Sequence, residues 1–105
     1  MHSDVRTAKI DASSSGDNEV VAASSGKVIR VLAYTIVSAG TVTAKWRSAT
    51  TDISGPMPLV ASSGVSPSPL QRYDQCLMQT SAGQALNLNL SGAIAVGGHL
   101  TYAYN

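Results

Sequence analysis

The sequence predicts an all-β chain folded as an antiparallel two-sheet β-sandwich of about seven or eight strands, jelly-roll or Greek-key like, with a small closed barrel as the alternative. Three observations carry this. No stretch longer than about ten residues keeps the i, i+3, i+4, i+7 apolar spacing of an amphipathic helix. Alternation of apolar and polar residues with period two recurs along the chain, and clusters of turn formers return every eight to twelve residues or so.

In order, residues 5–10 make a short first strand, and SSSGDN at 13–18 is a turn cluster. A second strand is expected over 19–23, and Ser24, Ser25 and Gly26 turn the chain into its most apolar segment, 27–37. Strict alternation there divides the residues into two apolar faces, Ile29, Val31, Ala33 and Val37 on one and Val28, Leu32, Tyr34 and Ile36 on the other. A domain with one core can cover only one of them, so the second must lie under another loop or strand or against another copy of the chain, and the latter makes Tyr34 and Ile36 candidates for a subunit interface. Residues 41–48 alternate cleanly, with Val42, Ala44 and Trp46 inward and Thr43, Lys45 and Arg47 outward. All four prolines fall between 49 and 69, which marks loop and edge-strand territory because proline cannot donate to a central ladder. A short strand at 76–80 is followed by LNLNL at 86–90, whose leucines line a core while Asn87 and Asn89 face away, either to solvent or across a subunit boundary. The last strand, 94–104, places Ile94, Val96, Leu100, Tyr102 and Tyr104 on one face, with Gly97 and Gly98 marking a bulge or a close backbone approach.

A chain of 105 residues is one domain, here 5–105 preceded by a flexible arm, 1–4. Seven basic residues against six acidic ones, with only 12% of residues charged, give no concentrated basic face, so nucleic acid is excluded as an expected partner. No apolar run approaches the ~20 residues of a membrane-spanning helix, and no membrane partner is expected. MHSDVR at the start has no apolar signal core, and the lone Cys76 has no disulfide partner, so synthesis in a cytoplasm is expected. Fifteen serines and eight threonines supply a surface polar through hydroxyls rather than charge, which suits either a protein held in an assembly or a hydroxyl-rich β domain.

Chemistry is sparse. His2, His99, Cys76, the five Asp and Glu19 show no metal-ligand spacing, so no metal or cofactor is expected. A Ser and His99 hydrolase can be drawn on paper, but among so many serines its availability carries no information, and no strand-turn-helix nucleophile elbow is present. Cys76 has no basic neighbour nearer than Arg72 in sequence and reads as an inert thiol. Arg72, Tyr73 and Asp74, beside Gln75 on an expected loop, form the best partner-binding group: an aromatic with polar neighbours suits a glycan or a protein surface, while the plainer role is to anchor the loop.

Four runs carry a resemblance: GKVIRVL at 26–32, SGPMPL at 54–59, GQALNLNLS at 83–91 and AVGGHLTY at 95–102. In this order and spacing they resemble small virion structural proteins of tailed bacteriophages, of the head decoration (cement) type, over most of the chain from about residue 20. The stretch 66–79 and the first ten residues depart from that pattern. The resemblance implies a compact β-sandwich on the capsid exterior, a homotrimer bridging copies of the major capsid protein, with no enzymatic activity and no cofactor. A tail- or capsid-associated carbohydrate-binding module is the alternative, and a small hydrolase a further one.

Overall fold

The computed structural model describes residues 5–67 and 76–105, so the expected arm at 1–4 and the group Arg72, Tyr73 and Asp74 lie outside the described residues. Ten strands are described: β1 (Val5–Ala12), β2 (Gly16–Val21), β3 (Ile29–Ser38), β4 (Val42–Ser48), β5 (Thr51–Asp52), β6 (Met57–Leu59), β7 (Gly64–Val65), β8 (Met78–Gln79), β9 (Leu86–Leu90) and β10 (Val96–Tyr104). They form two antiparallel sheets. The first runs β1-β10-β3, and the far side of β3 is shared by β7, at Ile36 and Val37, and β8, at Arg30 and Val31. The second runs β2-β9-β4, with the far side of β4 shared by β5 and β6.

When each pair of short strands is counted as one edge position, the pairings are β1 with β10, β2 with β9, β3 with β7/β8 and β4 with β5/β6. This is a long antiparallel hairpin rolled across two sheets, the jelly-roll arrangement. The expected two-sheet β-sandwich is therefore the architecture, and the count rises to ten because two edge positions are divided into four pieces of two or three residues, β5 to β8, three of them in the proline-bearing region.

The core follows from period-two patterning in most strands. On β4, Val42, Ala44 and Trp46 are buried while Thr43, Lys45 and Arg47 are not; on β9, Leu86, Leu88 and Leu90 are buried. Trp46 lies wholly inside, with the Tyr34 ring edge-on at 5.1 Å between centroids, a favoured aromatic geometry. β10 keeps its alternation, with Val96 and Leu100 buried and Tyr102 and Tyr104 packed against the core. Between them, Gly98 makes the close approach expected of that position. Its φ is +154°, and a Cβ there would stand 1.8 Å from the Thr35 carbonyl oxygen.

β3 departs from the expectation. Thr101 of β10 stands opposite Ala33, but Tyr102 stands opposite Val31, so Leu32 is an extra residue without a partner. This bulge moves the alternation by one. Ile29 and Val31 face the interior before it, and Tyr34 and Ile36 face the same interior after it, all four buried. The bulge thus brings Ile29 and Val31 of one expected face and Tyr34 and Ile36 of the other onto a single interior face, and leaves Val37 exposed. Tyr34 and Ile36, proposed as interface residues, are core residues at 7% and 0% exposure and have no surface to offer a second subunit.

Candidate functional site

The residues that bear chemistry fall into three groups: the outer face of the second sheet, one end of the sandwich, and the outer face of β1 and β10.

The first group is a closed polar network, built because β2, β9, β4 and β5 lie side by side. Asp17 on β2 accepts from Asn89 Nδ2 at 2.8 Å and from Arg47 Nη1 at 3.3 Å. Arg47 Nε lies 3.0 Å from Asp52 Oδ1, an ion contact whose angle falls short of a hydrogen bond, and its Nη2 donates to the Thr50 carbonyl. Lys45 Nζ meets the other Asp52 oxygen at 3.1 Å. Asn87 Nδ2 donates to the Ala49 carbonyl at 3.0 Å. Asn87 and Asn89, read from the sequence as facing solvent or a subunit boundary, do face outward, but each amide is engaged within its own chain. Each bond engages one of the two N–H donors of its side-chain amide.

The second group closes one end of the sandwich. Tyr104 on β10 donates its hydroxyl to the Ala22 carbonyl, 2.7 Å away just beyond β2, and so latches one sheet to the other. Tyr102 meets the Tyr104 ring edge-on, and the Arg6 guanidinium stands 5.5 Å above the same ring. Burial, and then Tyr102, push the Tyr104 phenol above its ordinary value, with Arg6 acting against them. The signal for this cluster in the sequence is two tyrosines at an i, i+2 spacing at the end of an alternating strand. Its missing half, Arg6, reaches it only because β1 pairs with β10 and sets Arg6 opposite Tyr102.

The third group is a row across the outer face of the first sheet. Lys9, His99 and Thr35 stand side by side on β1, β10 and β3, and Thr35 Oγ1 and Ser66 Oγ are 2.9 Å apart. Among the described residues no serine hydroxyl and no carboxylate bonds to His99, and no three His, Cys, Asp or Glu residues converge on a point. Cys76 is half-buried, its thiol 3.9 Å from Gln79 Oε1.

The binding group expected at Arg72, Tyr73 and Asp74 is bracketed by described residues. Before it, β7 is paired to Ile36 and Val37; after it, the Leu77 amide donates to the Val31 carbonyl and β8 pairs with Arg30 and Val31. Both flanks of the segment are therefore tied to the same edge of β3. No helix among the described residues is long and apolar enough to cross a membrane. No family model, curated protein or solved structure matches this chain.

Proposed function

We propose that this protein is a head decoration protein of a tailed bacteriophage, a non-enzymatic subunit that binds the outside of the assembled shell and bridges major capsid proteins. One observation carries the reading: the four ordered runs that resemble such proteins include much of the strand framework, with 26–32 entering β3, 54–59 containing β6, 83–91 containing β9 and 95–102 making most of β10. The jelly-roll arrangement is in keeping with it, since that architecture recurs in viral capsid and lectin domains, a likeness of fold and not of site.

A subunit that binds the assembled shell but not its separated parts stabilises the shell by its own binding free energy at every site. A sparsely charged, hydroxyl-rich surface suits many weak polar contacts of this kind, and linking two or more of them raises the effective concentration at each. The resemblance implies a homotrimer; Tyr34 and Ile36, the residues expected to serve its interface, are buried within the subunit, so any such contact uses other residues. The test is co-sedimentation of the full chain with purified heads that lack it, followed by heating of the heads. Saturable binding with a higher temperature of DNA release supports the reading, and a chain that stays in the supernatant defeats it.

Carbohydrate binding by the same molecule is the second reading, favoured by the aromatic and polar composition of Arg72, Tyr73 and Asp74. A glycan array on wild type and Tyr73→Ala separates the two.

A further inference from the structure

We infer that the outer edge of β1 pairs with β1 of a second copy of this chain, antiparallel, about a two-fold axis through Ile10. β1 is an edge strand whose eight residues match β10 one to one, without a bulge and without proline, and among the described residues nothing pairs with its other side. Such an edge presents a row of free backbone donors and acceptors that templates another strand. At the opposite rim of the first sheet the edge is blunted by shortness, β7 and β8 being two residues each, whereas β1 is long and regular and its only protection is the charge of Arg6, Lys9 and Asp11.

The charges on β1 identify the occupant and the register. Lys9 and Asp11 point to the outer face, flank the buried Ile10, and carry no ion pair among the described residues. Of the five charged side chains on the outer face of the second sheet in β2, β4 and β5, Asp17, Lys45, Arg47 and Asp52 are paired within the chain, and Glu19 alone carries no ion pair among the described residues. Two opposite charges two residues apart on one face are complementary to their own copy when the strand is turned end for end. Centred on Ile10, the pairing sets Lys9 opposite Asp11 of the second copy and Asp11 opposite its Lys9, with Ala8 opposite Ala12 and Ile10 opposite Ile10. The inward residues Ala8, Ile10 and Ala12 then extend the apolar layer of one sandwich into the next. A sheet whose faces stay continuous permits only registers shifted by whole two-residue steps of the sum. Centring on Lys9 or on Asp11 sets like charges against each other, and centring on Ala8 forms no ion pair.

The pairing occurs without heads, so its test is independent of the capsid reading. Sedimentation equilibrium of the full chain should show a concentration-dependent species of twice the 10.8 kDa chain mass. Lys9→Asp and Asp11→Lys each turn two attractive contacts into two repulsive ones and should each weaken the dimer by about tenfold or more. The double exchange Lys9→Asp with Asp11→Lys should restore it. Added salt to 1 M should weaken the wild-type dimer, a check that needs no variant. A monomer at every concentration, a trimer, a dimer indifferent to both single variants and to salt, or a double variant no better than the singles would each overturn the inference.

Discussion

The two rims of the sandwich end the same pair of sheets in opposite ways. On one rim stand β1 and β2, eight and six residues long. On the other, each edge position is divided between two pieces of two or three residues, and Pro58 sits within one of them. Short, broken edges with proline are poor templates for a further strand, whereas a long regular edge is a good one. β2 is partly blunted, because its ladder shifts between Glu19 and Val21 and Asp17 is tied to Arg47. β1 has neither feature. The difference teaches where association is to be sought, and it points to a backbone edge rather than to an apolar face.

The comparison holds only if the interior is equally solid behind both sheets. Leu88→Ala in the second sheet and Leu100→Ala in the first should each cost about 2–5 kcal/mol, because both leucines are fully buried. Urea unfolding measures both. A loss much smaller at Leu100 than at Leu88 would mean that the first sheet is loosely held, and the contrast between rims would reduce to a contrast in stability.

A smaller effect sharpens the difference between the outer faces. Asp17→Ala removes the acceptor shared by Arg47 and Asn89, and should cost roughly 1 kcal/mol, less at high salt since the network is partly exposed. Lys9→Ala removes no partner within the chain and should change monomer stability by less than about 0.5 kcal/mol. Equal losses at the two positions, read from the same urea titrations, would contradict the contrast between an internally paired Asp17 and an open Lys9.

The interior also predicts an alkaline limit. Burial raises the Tyr34 phenol above its ordinary value, with Trp46 acting weakly the other way. The folded chain therefore holds that proton more tightly than the unfolded one. Its contribution is complete below the unfolded value, about 10, and is lost as pH rises from there through the folded value. Thermal unfolding from pH 8 to 11 should show Tm falling above pH 10, and Tyr34→Phe should reduce that fall. An unchanged fall would assign it elsewhere, for instance to Tyr104, whose phenol is raised as well.

How much of this is legible in the sequence depends on how local the cause is. LNLNL and the alternation around Trp46 give their strands and inward faces directly, because both run through without a bulge. β3 does not, because one extra residue at Leu32 reverses the alternation, and no residue in that stretch announces a bulge as Gly or Pro would. β5 to β8 are too short to carry a period and exist because β3 and β4 offer edges to pair with. Among the functional candidates, the outward direction of Asn87 and Asn89 is readable, but their partners Ala49 and Asp17 are brought in by pairings far apart in sequence. The facing of Lys9 and Asp11 at the rim is likewise a product of β1 pairing with the last strand.

Hydrogen exchange of the full chain, measured at low and at high protein concentration, tests the contrast between rims most directly. Exchange at the outward-directed amides of β1 between Ala8 and Ala12 should slow as concentration rises, while amides of β5, β6, β7 and β8 keep their rates. Protection that grows at the β5 to β8 rim, with β1 unchanged, would contradict the assignment of β1 as the pairing edge.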